Sequence, residues 1–297
     1  MGYIKSPLNY TGGKYKLLDQ IIPLFPKSVN KFADIFGGGF NVGVNVNAEE
    51  VLYNDIDFEV ANIMEHFATL QPIDVISRVK DVIDDYGLYF EVDKATEEEI
   101  EECKQGYREL RDDYNVDRVD DDGVYDKDTW DKLFALITCS FSNSISRNAD
   151  GCFNTSYGRR CLNKTMEKNL MNFLVRMHRL DTCVTSKDFR EIDYSQFEEG
   201  DFVYFDPPYL NTDANYNKGW GIEEEKALYE IFNELSERGV KCAISNDLTP
   251  NHMLEKFAMD NGYTIHRLKY DYSGCASAKG GKEQETTREV LVTNYVL

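Results

Sequence analysis

The chain has 297 residues, enough for one large domain or two modest ones, and its 42% hydrophobic and 13% aromatic content can fill a sizeable core. Its formal net charge of −20 argues at first sight against nucleic acid, whose phosphates repel an acidic surface. No apolar run reaches the length of a membrane span, the N-terminus lacks a charged stretch followed by an apolar one, and the seven cysteines form no C-x-x-C pair. These features predict a cytoplasmic protein with no membrane contact, no disulfide framework and no metal site.

Charge distribution changes the first impression. Residues 81–131 hold 20 acidic and 6 basic side chains, whereas residues 132–180 hold 8 basic and only 2 acidic ones. The acidic stretch reads as a solvated helical face with a loop around Asp120-Asp121-Asp122-Gly123. A basic patch therefore sits inside an acidic protein.

Near the N-terminus a Gly12-Gly13 turn precedes a helix-like stretch from Lys14 to Leu24, followed by a strand ending at Asp34-Ile35-Phe36. Gly37-Gly38-Gly39, a short helix and a second strand, Val51-Leu52-Tyr53, lead to Asn54-Asp55. Strand, glycine turn, helix and strand with an acid at its tip follow the logic of a nucleotide-binding βαβ unit. Apolar residues then recur at helical spacing from about 60 to 135, and Ser140–Asn163 has the Ser, Asn, Gly and Arg texture of a polar hairpin. A helix over about 164–180 follows. Strands are predicted to Lys187 and over Phe202–Phe205, Val240–Ser245, Thr264–Tyr270 and Glu289–Tyr295, with a helix over Glu223–Arg238. The pattern is that of a doubly wound α/β domain made from 1–60 and 181–297, with 61–180 inserted as a mainly helical second domain.

Three motifs carry chemistry. Asp206-Pro207-Pro208-Tyr209 follows a buried strand, where ligands bind in open α/β sheets. An aromatic exocyclic amine is a poor nucleophile because its lone pair is delocalised into the ring. Asp206 and the Pro207 carbonyl can accept its two hydrogens and localise that pair, while Tyr209 offers a face to stack on the base. Asp34-Ile35-Phe36-Gly37-Gly38-Gly39-Phe40 lets the backbone pass close beneath a ligand, and Asp55 stands where a carboxylate would bind ribose hydroxyls. Asn9-Tyr10-Thr11-Gly12-Gly13-Lys14 brings an aromatic and a cation to a helix start, which suits a zwitterionic ligand. Each also fits a plainer reading: a Pro-Pro turn backed by a tyrosine, a glycine turn, a capped helix with a surface lysine. Asp57 is expected in solvent, and His66, His178, His252 and His266 show no ligand spacing.

Taken together and in this order, the motifs resemble the Dam-type DNA adenine-N6 methyltransferases, particularly their bacteriophage members. The resemblance runs from Tyr10 through Asp206-Pro207-Pro208-Tyr209-Leu210 to Tyr216-Asn217-Lys218. It includes Tyr107-Arg108-Glu109-Leu110-Arg111, Tyr114-Asn115, Phe153-Asn154 and Tyr157-Gly158-Arg159. It implies a mixed seven-stranded Rossmann-like sheet with an inserted target-recognition domain containing a hairpin. It also implies S-adenosylmethionine as methyl donor, held by Tyr10, Lys14, Asp34, Phe36, Gly37, Gly39, Asp55, Asp188, Phe189 and Asp206. Catalysis would fall to Asp206, Pro207, Pro208 and Tyr209, acting on an adenine flipped from double-stranded DNA. Arg147, Asn148, Asn154, Arg159 and Arg160 are the candidates for base and phosphate contacts, and GATC is the expected target. Methylation of cytosine N4 or RNA adenine is the chemical alternative. A non-catalytic DNA-binding or DNA-mimicking protein is the alternative of another class. A dimer on DNA and a cognate restriction endonuclease are partners the sequence leaves open.

Overall fold

The computed structural model describes residues 2–10, 12–88, 95–117, 125–126, 128–210, 219–248, 252–269 and 289–296. Thr11, the Asp120–Gly123 loop, Tyr216-Asn217-Lys218 and Tyr270 therefore lie outside the described residues. The strands are β1 (Val29–Asp34), β2 (Ala48–Asn54), β3 (Asp181–Thr185), β4 (Phe202–Phe205), β5 (Lys241–Asp247), β6 (Thr264–Arg267) and β7 (Glu289–Thr293). The helices are α1 (Leu18–Ile21), α2 (Phe58–Thr69), α3 (Pro72–Asp85), α4 (Glu97–Asp117), α5 (Thr129–Cys139), α6 (Lys164–Met177), α7 (Ile222–Glu237) and α8 (His252–Asn261).

The strands form one seven-stranded sheet in the order β3-β2-β1-β4-β5-β7-β6. The first five of these run parallel, and β7 is antiparallel to both β5 and β6. This is the mixed seven-stranded α/β sheet expected. Phe202-Val203-Tyr204-Phe205 is buried throughout, as the continuous apolar run of a central parallel strand requires. Val203, Phe205, Cys242, Ile244, Val290 and Val292 pack with Leu228, Phe232 and Leu235 of α7 and Leu254 and Ala258 of α8. Elsewhere the Phe25 ring meets those of Phe32, Phe202 and Tyr204 at 4.6–6.3 Å.

The helix expected over Lys14–Leu24 is broken into a 3-10 turn (Lys14–Leu17), α1 and a second 3-10 turn (Ile22–Leu24). Pro23 lacks the N–H that a continuing α-helix would need.

The chain divides into two compact units. One comprises Met1–Tyr3, Lys14–Ile56 and Leu180–Leu297; the other comprises Ile4–Gly13 and Asp57–Arg179. The first holds the sheet. The second holds α2 to α6, with α5 buried along most of its length and α3, α4 and α6 each burying one apolar stripe. At the acidic start of α4, Thr96 and Glu99 exchange hydrogen bonds as a capping box, and Glu97, Glu98 and Glu99 oppose the positive end of the helix dipole. Three of the twenty acidic side chains of 81–131 thus serve the helix terminus.

Residues 140–163 run as an irregular hairpin with antiparallel bridges Ser140–Tyr157 and Arg147–Phe153. Helix α4 braces it. The Asn115 amide brackets Phe153, donating to its carbonyl at 3.0 Å and accepting from its N–H at 2.8 Å, and the Tyr107 hydroxyl donates to the Thr155 carbonyl at 3.0 Å.

Candidate active site

Three aspartates stand at or just past the carboxyl ends of adjacent strands: Asp34 on β1, Asp55 after β2 and Asp206 after β4. Each is held. The Asp34 carboxylate accepts from Gly43 N–H at 3.0 Å, and Asp55 accepts from Gly38 N–H at 2.7 Å. Asp206 Oδ1 lies 2.6 Å from Nζ of Lys14, whose side chain is only 5% exposed. The lysine ammonium also sits 5.1 Å from the centroid of the Tyr209 ring. That ring's hydroxyl donates to Oε2 of Glu289 at 2.9 Å.

The electrostatics follow from this crowding. Burial is the main reason the Asp34 carboxyl is pushed up to about 8; repulsion from Asp206 and Asp55 adds to it, while the Gly43 N–H and Lys14 oppose it. Burial likewise raises the Asp206 carboxyl above the usual range, with Lys14 pulling it back. Three acids facing one buried cation make a site short of positive charge, which a ligand bearing an ammonium or sulfonium would complement.

The glycine turn is shaped by contact. A Cβ on Gly37 would fall onto the ring of Tyr53, and the hydroxyl of that same ring donates to the Gly38 carbonyl at 2.8 Å. Gly38 has a φ of 46°. The turn can lie flat against β2 only without side chains. Beside it, Phe36, Phe189 and Trp220 form a triangle with ring centroids 5.4–5.5 Å apart, and the Trp220 indole N–H donates to the buried Glu225 at 3.0 Å. Asp188 accepts from the Arg190 backbone N–H and pairs with its guanidinium at 2.7 Å, which holds its carboxyl below the usual range.

The structure thus brings Lys14, Asp34, Asp55, Asp206, Tyr209 and the glycine turn into one unit, with Phe36, Asp188 and Phe189 in that unit as well. Tyr10 belongs to the other unit, where its carbonyl accepts from Gly13 N–H at 3.1 Å. Trp220 and Glu289 were not singled out by the sequence.

The candidates in the second unit behave differently from one another. Arg147 is enclosed by acids: its guanidinium lies 2.8 Å from Asp57 and 2.5 Å from Glu59. Asp57, expected in solvent, also caps α2 by accepting from Val60 N–H. The Asn148 side-chain carbonyl accepts from the N–H groups of Asp150 and Cys152, closing the hairpin turn. Asn154, Arg159 and Arg160 are exposed, and Arg159 has a left-handed φ of 54°. Among the described residues there is no group of His, Cys, Asp and Glu arranged to hold a metal, and no helix is long and apolar enough to cross a membrane.

The mixed sheet thus carries an acidic glycine-turn site at its carboxyl edge and Asp-Pro-Pro-Tyr at the end of β4. The model of the D12 class N6 adenine-specific DNA methyltransferases matches residues 10–273, and the chain belongs to that family. It is 33% identical to the modification methylase StsI of Streptococcus sanguinis and 33% identical to the type II methyltransferase M.FokI of Planomicrobium okeanokoites. Each match covers 99% of this chain and 43% of the relative, so the chain spans less than half the length of these two proteins. It is 26% identical to the DNA adenine methylase of Escherichia coli K12, over 80% of this chain and 79% of that one.

Proposed function

We propose that the chain transfers a methyl group from S-adenosylmethionine to the N6 amine of an adenine turned out of double-stranded DNA. The observation that carries this reading is the buried Lys14–Asp206 pair beside the Tyr209 ring, at the edge of a site short of positive charge. S-adenosylmethionine, when bound, supplies an electrophilic methyl group on a cationic sulfur. The residues present suit it: Lys14 for the carboxylate, Asp34 for the ammonium, Asp55 for ribose hydroxyls, and Phe36, Asp188 and Phe189 for the adenine.

In this reading Asp206 and the Pro207 carbonyl accept the two hydrogens of the target amine and direct its lone pair outward. Tyr209 stacks on the base, and the Pro207-Pro208 pair keeps the turn from yielding. As the new N–C bond forms, the methyl–sulfur bond breaks and its electron pair leaves with the sulfur as a neutral thioether; the amine becomes acidic, and Asp206 holds its departing proton before release to water. Holding donor and amine in line supplies much of the acceleration. Arg159, Arg160 and Asn154 are the exposed groups proposed to meet DNA, and GATC is the first sequence to examine.

The test is incubation of plasmid DNA with the protein and methyl-labelled S-adenosylmethionine, followed by nucleoside analysis and mapping of the modified positions. N6-methyladenine at a recurring sequence is expected, together with its loss in Asp206→Ala. Label on N4-methylcytosine would replace the target, and full activity in Asp206→Ala would overturn the roles assigned here.

A further inference from the structure

We infer that Glu289 is a positioning residue for the stacking face of Tyr209; the inference rests on the reading in which that ring meets the extruded base. Glu289 is the first residue of β7 and only 4% exposed. Its backbone is fixed twice, by antiparallel pairing opposite Asp247 and by its carbonyl, which accepts from Leu268 N–H at 2.8 Å. From this rigid strand the carboxylate receives the Tyr209 hydroxyl at 2.9 Å.

A carboxylate is an expensive choice at this place. The following residues, Val290, Leu291 and Val292, are all buried and apolar, and a buried carboxylate needs donors to offset lost hydration. The phenol is one such donor. Tyr209 follows two prolines whose φ angles are fixed by their rings. Its ring is therefore held at both ends, by the Pro-Pro turn at the backbone and by Glu289 at the hydroxyl. Such restraint keeps the ring plane in place before the base arrives.

The hydrogen bond also acts on the ring's electrons. A phenol donating to a carboxylate becomes richer in π-density, and an electron-rich face favours a nearby positive charge. Lys14 shows that this face tolerates a cation, its ammonium lying 5.1 Å from the centroid. The target nitrogen gains positive charge as its bond to the methyl carbon forms, so Glu289 stabilises the reacting state through Tyr209 without touching the base. Burial and the Glu289 charge both hold the phenol well above its ordinary range, so it remains a donor throughout the working pH range.

The test compares Glu289→Ala, Glu289→Gln, Tyr209→Phe and the two double variants, using S-adenosylmethionine and a duplex containing the methylated sequence mapped on plasmid DNA. Turnover is followed on that duplex, and extrusion of the base separately, by the fluorescence of a second duplex with 2-aminopurine, which lacks the N6 amine, at the target position. Glu289→Ala should lower kcat about tenfold, the order expected for a lost hydrogen bond to a charged group, with KM for S-adenosylmethionine within about twofold. Glu289→Gln, a weaker acceptor, should cost about threefold. Neither change should cost anything further in the Tyr209→Phe background. The 2-aminopurine signal of the bound duplex should change in Glu289→Ala and not in Glu289→Gln. Equal losses in the presence and absence of the tyrosine hydroxyl would overturn the inference, as would a Glu289→Ala variant as active as the parent. Should Glu289→Ala not fold, Glu289→Gln in the two backgrounds decides by the same rule. Full activity in Tyr209→Ala would instead sink the stacking role of Tyr209, and a parent protein that forms no N6-methyladenine would sink the function itself.

Discussion

Nζ of Lys14 lies 2.6 Å from Oδ1 of Asp206, joining side chains from two separate segments of the first unit, 14–56 and 180–297. The pair makes the charge on Asp206 conditional on the lysine, because burial raises that carboxyl and Lys14 is what opposes the rise. Lys14→Met should therefore move the acid limb of the kcat profile to higher pH and lower turnover at pH 7 by at least about tenfold. Part of the loss should return at pH 9. A pH profile of methyl transfer reads this directly, and an unmoved limb would show that Asp206 does not govern it.

Asp34, pushed up to about 8, holds a proton at neutral pH in the absence of ligand. A ligand ammonium set against it favours the ionised form, so binding of S-adenosylmethionine should release up to one proton at pH 7 and tighten as pH rises from 6 to 8. Calorimetry in two buffers of different ionisation enthalpy counts that proton, and Asp34→Asn should abolish it.

The same proton sets a stability trend. The folded chain keeps it after the unfolded chain, titrating near 3.8, has lost it, so stability falls as pH rises from about 4 to about 8. Asp34→Asn should raise Tm at pH 8.5, with a gain of at most about 6 kcal/mol by linkage, and leave it unchanged below pH 4. A variant that stabilises equally at both pH values would contradict the assignment.

Gly37→Ala should destabilise the first unit by about 1–3 kcal/mol, because its Cβ falls on the Tyr53 ring. A smaller side chain at 53 should recover part of the loss. Urea midpoints of Gly37→Ala, alone and combined with Tyr53→Leu, provide the check.

Basic residues in the second unit should separate by salt dependence. Arg147 is already neutralised by Asp57 and Glu59, and Lys132 by Asp117 and Asp128, whereas Arg159 and Arg160 are exposed. Arg159→Ala and Arg160→Ala should each reduce the slope of log affinity against log salt by about 1. Arg147→Ala should leave the slope nearly unchanged and lower Tm, since it strands two carboxylates. Binding to random duplex should have a shallow slope throughout, and a steep one would show many more phosphate contacts than these.

The fold was legible wherever a local pattern sufficed. Phe202–Phe205 declares a buried strand by being wholly apolar, which alone places the residues after it at the sheet's carboxyl edge. Asp34, the glycines and Asp55 followed from the same rule. Contacts between distant positions were not legible: Glu289 lies 80 residues from Tyr209, and nothing in Thr-Arg-Glu-Val marks it as a partner for a phenol. Arg147 illustrates the converse. Its residue type suggested DNA, but its carboxylate neighbours come from a helix start 88 and 90 residues earlier, and only folding brings them together. Asn115 and Tyr107, which belong to the motifs of the resemblance, brace the hairpin through hydrogen bonds to its backbone.

Ile4–Gly13 groups with Asp57–Arg179, although Lys14, the next residue, belongs to the sheet unit. Leu8 is buried there, and the Asn9 amide donates to the Ser142 carbonyl at 2.8 Å, next to the residues that open the hairpin. A transplant of 57–179 alone between relatives would set a resident Asn9 against a foreign loop. The exchangeable block is thus discontinuous in the gene, and one of its joints falls immediately before the lysine that pairs with Asp206. Chimeras that carry 4–13 together with 57–179 should fold where simple cassettes fail, and whatever the second unit contributes would be inherited in two pieces rather than one.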